Sequence, residues 1–309
     1  MASLCSVAPA RPLGKADRSH RLAAIRLDNV TRSFPSPAGD GEKLMVLDGL
    51  TFEVGDGEVV AIVGPNGSGK STLLRLIGGL LAPDSGSIEV GGVAVSEADP
   101  RVGLVFQEPR LLPWRTTGAN IAFPLELAGV ERTERDRRSS SLLDLVGLTE
   151  FARAYPRELS GGMRQRAAIA RALAHDPSVL LLDEPFSALD ALTRERFNAE
   201  LLDVWQRTGT TIVLVTHSIP EAVFVADRVL VLSARPSHIV AEVAVPLPRP
   251  RNSETLDSPL YSGTASLIRA HLGGTREEHA ADEARAAPVR DVLDRVGTRA
   301  WFDPFGPRG

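Results

Sequence analysis

Short apolar runs alternate with helical patterns along most of the chain. Five of these runs are uninterrupted and rich in β-branched residues, a composition typical of strands covered on both faces of a sheet. They are VVAIV (59–63), VGLVF (102–106), VLLLD (179–183), TIVLVT (211–216) and RVLVLS (228–233). This alternation of strands and helices predicts an α/β fold built on a parallel sheet.

Two regions depart from this alternation. From residue 22 to about residue 62, short β-type runs such as LAAIRLDNV and LTFEV are broken by the turn-rich PSPAGDGE. That pattern predicts an N-terminal antiparallel β subdomain. Between about residues 108 and 176 the β pattern is missing and the pattern becomes helical. We therefore predict an α-helical subdomain inserted into the sheet domain.

The two ends of the chain differ from its middle. Residues 1–21 carry scattered charges and prolines, without an apolar core of signal-peptide length, and predict a flexible leader. After the proline-rich PLPRPR (246–251), residues 252–309 are polar and rich in alanine and charge. We expect this extension to be partly disordered or helical, with an amphipathic helix near EEHAADEARAAPVRDVLDRV. The folded domain is thus predicted to span residues 22–251.

Composition narrows the classes of function. The 309 residues have a net charge of -4 and so provide no global basic field, and we expect no nucleic-acid partner. The single cysteine, Cys5, cannot form an internal disulfide, which fits a reducing compartment. No run of about 18 apolar residues is present. We therefore expect the chain to be cytoplasmic and to reach a membrane only through a partner.

A glycine-rich segment, GPNGSGKST (64–72), follows the run VVAIV and precedes the helical LLRLIGGLL. Its glycines let backbone N–H groups point at phosphates, and the helix N-terminus adds a positive dipole end. An accidental glycine-rich turn is the alternative, which the strand before and the helix after disfavour. We expect ATP and Mg²⁺ here, with Lys70 on the β- and γ-phosphates and the Ser71 hydroxyl on the metal. The predicted ATP-binding residues of this segment are Gly64, Pro65, Asn66, Gly67, Ser68, Gly69, Lys70, Ser71 and Thr72.

A pair of carboxylates ends the apolar run VLLLDEPF (179–186). We expect Asp183 to hold the hydration shell of Mg²⁺ near the phosphates. Glu184 is the candidate general base for the water that attacks the γ-phosphate, a role worth about 10²–10⁴ in rate. Two surface acids at a strand end would explain the pair equally well in isolation. Together with the glycine-rich loop, the pair favours catalysis.

A second candidate anion site lies in LSGGMRQRAAIARALAHDP (159–177). Ser160 fits the N-cap of an alanine-rich helix. A cap does not explain Gly161 and Gly162, because glycine costs about 1 kcal/mol within a helix. A helix N-terminus also binds anions. Two such sites in one chain suggest that a second copy supplies one of them to the nucleotide of the first.

The order of these motifs resembles the ABC-transporter ATPase family over about residues 22–251, which implies a P-loop NTPase (RecA-like) core. The resemblance assigns Phe34, in VTRSF, to stacking on adenine. It assigns Gln107, in VFQEP, to reaching Mg²⁺ and coupling to a permease, so that Gln107 joins Ser71 and Asp183 as a metal residue. It also makes His217, which follows TIVLVT, a switch that senses the γ-phosphate. The implied catalytic residues are Glu184, His217 and Gln107.

The same resemblance gives LSGGM a partner across a dimer. In this family that segment binds ATP from the opposite subunit, which implies that Ser160 and Gly162 face the γ-phosphate. SALD (187–190), ending at Asp190, resembles the loop that links the two active sites. Met163 stands where the commonest form of the family has Gln. With Glu184 and His217 both present, the site is expected to be competent for hydrolysis.

Three classes of P-loop protein compete for this chain. One is a transporter ATPase with its permease on another chain, one a soluble ABC ATPase not coupled to transport, and one a P-loop enzyme outside the family, such as a kinase. LSGGM disfavours the kinase. The soluble class usually carries two cassettes or a long coiled coil, and the sequence has neither.

The segment LLPW (111–114) resembles importers of the nitrate, sulfonate and taurine group, as do DALTRERF (190–197) and LSARPSHIVAEVAVPLPRP (232–250). Leu111, Leu112 and Trp114 fit either a permease contact or the packing of the helical subdomain. We expect an ATP-hydrolysing importer subunit on the cytoplasmic face of the membrane. Its expected partners are a second copy, integral-membrane permease subunits and, indirectly, a periplasmic or extracellular solute-binding protein. The sequence does not identify the solute, nor a role for residues 252–309.

Overall fold

The computed structural model describes residues 23–36, 41–187 and 189–273. Helices and two sheets make up this part of the chain, which confirms the predicted α/β class. The predicted leader over residues 1–21 and the predicted amphipathic helix over residues 277–296 lie outside the described residues. In the described part, no helix has both the length and the apolar character that crossing a membrane requires.

The larger sheet has six strands in the order β10-β9-β3-β8-β7-β6. Its strands are β3 (Val59–Val63), β6 (Val102–Val105), β7 (Val179–Asp183), β8 (Thr211–Val215), β9 (Arg228–Leu232) and β10 (Ile239–Ala244). The five predicted strands pair in parallel, and every residue of β3, β7 and β8 is buried, as expected for strands covered on both faces. Strand β10 was not predicted and pairs antiparallel with β9 at the edge of the sheet.

A smaller antiparallel sheet has the order β2-β1-β4-β5, which confirms the predicted N-terminal β subdomain. Its strands are β1 (Ala23–Pro35), β2 (Lys43–Gly55), β4 (Ser85–Val90) and β5 (Val93–Ala94). Buried and exposed positions alternate along the second half of β2, because one face of the sheet packs on the core. Val46 and Leu47 of β2 share that core with the helix α1 (Lys70–Ile77).

Between β6 and β7 the chain forms three α-helices, with short 3₁₀ turns between the second and third. They are α2 (Thr117–Leu127), α3 (Arg132–Leu145) and α4 (Gly161–Ala172). The hydroxyls of Thr116 and Ser160 accept hydrogen bonds from the backbone at the start of α2 and α4, as N-cap residues do. The Arg171 guanidinium donates to the carbonyls of Pro109 and Arg110, and so ties α4 to the chain that leaves β6.

The remaining helices cover the larger sheet. They are α5 (Ala191–Thr208), α6 (Ile219–Val225), α7 (Ser253–Leu256) and α8 (Pro259–Leu272). Helix α8 falls in the predicted extension, and it packs on α6, β9 and β10 with Ala265 and Ile268 buried. Arg251 is also buried and donates to the carbonyls at the end of α6, so these residues continue the core of the larger sheet.

Candidate active site

The glycine-rich loop runs from β3 into α1 at the carboxyl edge of the parallel sheet. Gly67 and Gly69 have φ of 77° and 93°, in the left-handed region that favours glycine. A Cβ atom on Gly69 would also lie 2.6 Å from Cγ1 of Val46 on β2. Gly69 is therefore required both by its backbone conformation and by the approach of the smaller sheet.

Lys70, the first residue of α1, is 6% exposed and lies inside this loop. Its ammonium donates to the carbonyls of Gly64 and Pro65, each at 2.9 Å. Burial lowers the pKa of Lys70, and the carboxylates of Glu184 and Asp183 oppose that shift. The loop is thus wrapped around a buried cation.

Ser71 and Asp183 meet across the gap between α1 and β7. The Ser71 hydroxyl donates to Oδ1 of Asp183 at 2.8 Å. Burial raises the pKa of Asp183, and the Ser71 hydroxyl and the charge of Arg75 oppose that shift. A hydroxyl and a carboxylate oxygen are ligands that Mg²⁺ prefers, and Mg²⁺ is usually held by one or two carboxylates together with substrate phosphates.

Glu184 and His217 come from neighbouring strands of the same edge. Nδ1 of His217 lies 3.1 Å from Oε2 of Glu184, and the Glu184 backbone N–H donates to the carbonyl of Val215 at 2.9 Å. Glu184 has a φ of 44°, which is uncommon for a residue with a side chain. The turn that follows β7 therefore aims the carboxylate at the histidine.

Gln107 follows β6, and its amide Nε2 donates to the Ser187 hydroxyl at 3.2 Å. Ser187 belongs to the loop that also carries Glu184. The glutamine is thus joined to that loop and not to Ser71 or Asp183 by any hydrogen bond of the described residues.

Two features of the loop fit an anionic phosphate. The Ser68 hydroxyl is buried and has no hydrogen-bond partner in the part of the chain that the structure describes, although buried hydroxyls are nearly always paired. The Lys70 ammonium bonds only to two neutral carbonyls among the described residues. Phosphate oxygens would give the Ser68 hydroxyl an acceptor and the Lys70 ammonium an anionic partner. The described residues contain no group of three or more His, Cys, Asp or Glu side chains that holds a metal by itself.

Comparison with known proteins identifies the family. The family described as ABC transporter matches residues 47–187. The chain is 48% identical to the nitrate import ATP-binding protein of Synechocystis sp. over 72% of this chain and 83% of that protein. The chain belongs to the ABC transporter family. As a member, it is an ATP-binding subunit and an ATPase, so the predicted function class and P-loop core are confirmed.

Two further relatives of this ABC subunit are also named as import ATP-binding proteins. It is 45% identical to the taurine import ATP-binding protein of Rhizobium johnstonii, over 77% of this chain and 92% of that protein. It is 43% identical to an aliphatic sulfonates import ATP-binding protein of Burkholderia lata, over 84% of this chain and 90% of that protein. Among solved structures, a dimeric ATP-binding cassette, MJ0796, bound to ADP and Pi has a TM-score of 0.63 at 33% identity, with 72% of this chain and 98% of that chain covered.

No hydrogen bond of the described residues joins the LSGGM segment of this ABC subunit to the loop at residues 64–72. Ser160 caps α4 by accepting from the Met163 backbone N–H at 3.2 Å, and both Ser160 and Gly161 are exposed. A Cβ atom on Gly162 would lie 2.3 Å from Cζ of Phe197 on α5. The second glycine therefore has a packing reason that sequence analysis missed, because the ring is remote in the sequence.

Two other predicted ATP-binding residues have partners of their own in this ABC subunit. Phe34 is 8% exposed, lies in the core, and its ring centroid is 5.0 Å from Cζ of Arg32. Asp190 caps α5 by accepting from the backbone N–H and the hydroxyl of Thr193. The nucleotide roles of Phe34 and Asp190 stay predictions.

Two residues near His217, Thr216 and Glu221, form a contact that the sequence does not predict. The Thr216 hydroxyl donates to Oε2 of Glu221 at 2.7 Å, and Glu221 is 3% exposed. A hint was present in HSIPEA, where an acid follows a serine at the spacing of a helix cap. Nothing in the sequence indicated that the acid would be buried.

Proposed function

We propose that this ABC subunit hydrolyses Mg²⁺-ATP to energise an importer of a small solute, such as nitrate, a sulfonate or taurine, through a separate permease. One observation carries the ATPase chemistry: the pairs Ser71–Asp183 and Glu184–His217 stand beside the loop that wraps Lys70. The importer and its solute class rest on relatives named as nitrate, taurine and sulfonate import proteins.

Each residue of the candidate site would have a separate role in ATP hydrolysis. Lys70 would bind the β- and γ-phosphates, while Ser71 and Asp183 would hold Mg²⁺, whose charge neutralises the phosphate oxygens when it is bound. Glu184 would take a proton from water as the water oxygen bonds to the γ-phosphorus and the bond to ADP breaks. His217, hydrogen-bonded to Glu184, would orient that carboxylate and contact the γ-phosphate.

A second copy of the chain would complete each site. The exposed Ser160 and Gly161 form no hydrogen bond to the loop at residues 64–72 within the described chain. The related cassette MJ0796 has a dimeric structure with ADP and Pi. In the proposed dimer, LSGGM of one copy closes on the nucleotide held by the loop of the other.

The permease would contact the segment after Gln107. Trp114 is 65% exposed there, while Leu111 packs on the core. The buried Asn120 side chain accepts from the Leu112 N–H at 2.7 Å and donates to the Arg115 carbonyl at 3.0 Å, so the backbone beside Trp114 is held firmly. An exposed aromatic residue on a rigid segment is typical of a protein interface. Binding there would place the subunit on the cytoplasmic face of the membrane, with a solute-binding protein acting indirectly on the other face.

Uptake by intact cells tests this function. Cells that carry Lys70→Ala should take up labelled taurine, an alkanesulfonate or nitrate more slowly than cells with the native chain. Lys43→Ala is the matched control, because Lys43 is an exposed lysine of β2. Unchanged uptake of all three solutes, with ATPase activity lost in purified Lys70→Ala, would favour the soluble ABC ATPase instead.

A further inference from the structure

Glu221 is a buried acid that the proposed mechanism does not use. It lies in the first turn of α6, directly after the turn that carries His217, and is 3% exposed. Its Oε2 accepts from the Thr216 hydroxyl at 2.7 Å, and its Oε1 is buried with no hydrogen-bond partner among the residues described. Acids are almost never fully buried unless they are paired, so this position calls for a reason.

Capping of helix α6 does not explain why the Glu221 carboxyl group is buried. In a capping box, the acid at the third helical position accepts from the backbone N–H of the N-cap residue. Here the N–H of the N-cap, Ser218, donates instead to the Thr216 hydroxyl at 3.0 Å. The Ser218 hydroxyl accepts from the Glu221 N–H at 3.4 Å, which needs no carboxylate. The carboxyl group is therefore directed at Thr216 and not at the end of the helix.

Thr216 connects this acid to the active site. Its backbone N–H donates to the Ile62 carbonyl of β3 at 3.2 Å, and its hydroxyl both donates to Glu221 and accepts from Ser218. These bonds fix the backbone on both sides of His217. The Nδ1 atom of His217 in turn lies 3.1 Å from Oε2 of Glu184.

The surroundings of Glu221 do not favour a purely structural role. Burial raises its pKa to about 7, the Thr216 hydroxyl and the charge of Arg194 oppose that shift, and the charge of Glu184 adds to it. An apolar side chain of similar shape would avoid the cost of desolvating a carboxyl group. Groups that weaken a fold in this way are expected at functional positions.

We propose that Glu221 is a positioning residue for ATP hydrolysis: its carboxyl group holds the Thr216 hydroxyl, and this hydrogen bond sets where the His217 imidazole stands relative to Glu184. The inference rests on the proposed ATPase function. In this proposal Glu221 contacts neither the nucleotide nor the attacking water, and it acts through Thr216 and His217.

The test combines the His217 NMR signals with kinetics on the full-length chain. The ring resonances are assigned by their loss in His217→Gln and are recorded without turnover. Glu221→Leu should shift these resonances and lower kcat by between about 10-fold and 100-fold, because small misplacements of catalytic groups are costly. The KM for ATP should stay within about twofold of the native value, since Glu221 does not contact the nucleotide.

Two further variants separate positioning from folding. Glu221→Gln should recover the native resonances and most of kcat, because its amide oxygen accepts the same hydrogen bond. Thr216→Val removes that bond from the other side and should behave like Glu221→Leu, while Thr216→Ser should behave like the native chain. Glu195→Gln is the matched control, because Glu195 is an exposed acid of α5.

Native resonances and native kcat in Glu221→Leu would overturn the proposal. Equal losses in Glu221→Leu and Glu221→Gln, with an equal fall in melting temperature, would show a structural role and overturn it as well. A native chain that hydrolyses no ATP would instead overturn the proposed function. The His217 resonances distinguish the two failures, because they report the position of the ring without hydrolysis.

Discussion

The phosphate loop and the LSGGM segment both place glycines beside the N-terminus of a helix, but the chain surrounds them differently. Lys70 is 6% exposed and lies within reach of the carboxylates of Glu184 and Asp183. Ser160 and Gly161 are exposed, and within the described residues the one hydrogen bond of the Ser160 side chain caps its own helix. The first region is a site assembled within one chain, whereas the second has a surface that no described residue covers. In the proposed mechanism, one folded chain therefore does not complete a nucleotide site by itself.

Removing the proposed general base, Glu184, should have the largest effect. It should also trap a dimer in which the phosphate loop of one copy meets LSGGM of the other. Glu184→Gln is expected to lower hydrolysis by about 10²–10⁴-fold, because the amide cannot accept a proton from water. With ATP and Mg²⁺ the variant should accumulate as a dimer, because the ATP-bound dimer is expected to reopen only after hydrolysis. Size-exclusion chromatography with light scattering measures this. A monomer at saturating ATP and Mg²⁺ would remove the link between the regions.

A bulky cation in the second region should block hydrolysis and spare binding. Ser160→Arg is expected to lower ATPase activity by about 100-fold, because the new side chain occupies the surface that the partner's nucleotide requires. Its affinity for ATP by titration calorimetry should stay native, since the loop at residues 64–72 is untouched. Ser262→Arg, at an exposed serine of α8, is the control for the added charge. Weakened ATP binding in Ser160→Arg would mean that the two regions are not separate.

LSGGM has no ionisable side chain, whereas Glu221, which is hydrogen-bonded to Thr216 beside His217, should make stability depend on pH. The pKa of Glu221 rises from 4.5 to about 7 in the folded chain. Because burial disfavours the ionised carboxylate, the fold is most stable below the unfolded pKa of Glu221, and it loses about 3 kcal/mol as the pH rises from 4.5 to about 7. Glu221→Gln should lack this fall in the free energy of unfolding, measured with urea at pH 5 and pH 8. Parallel pH profiles of the two chains would contradict the shift.

The two glycines of LSGGM should separate packing from function. Gly162→Ala is expected to cost about 1–3 kcal/mol, because its Cβ meets the Phe197 ring. Gly161→Ala should leave the free energy of unfolding unchanged or raise it by up to about 1 kcal/mol, since the nearest atoms lie 3.9 Å away. Urea unfolding of both variants measures the contrast. Equal costs would show that packing explains both glycines.

The central strands and the phosphate loop were predictable because their causes are local in the sequence. Strands buried on both faces are continuous apolar runs, and β3, β7 and β8 are of this kind. Strands β4 and β10 were missed. In β4, glycine and polar residues interrupt the apolar pattern. In β10, an edge strand, Glu242 breaks the apolar run and Val240 is exposed, so it does not resemble a strand covered on both faces.

Sequence motifs indicate Lys70, Asp183 and Glu184 as candidate site residues, but they do not predict the contacts that surround them. The contact of Gly162 with Phe197 joins two helices, and the bond of Gln107 to Ser187 spans 80 residues. Such contacts depend on how the elements pack, and a single sequence does not encode them in any short pattern. The burial of Glu221 escaped prediction for the same reason.

The backbone of Glu184 has a consequence for how this protein responds to selection. A side chain at φ 44° costs roughly 1–2 kcal/mol, a penalty that glycine avoids and asparagine tolerates. Position 184 is therefore one at which thermal resistance and turnover are opposed. A library screened only for survival after heating should enrich glycine or asparagine at this position. The variants most resistant to heating would then be those that no longer hydrolyse ATP.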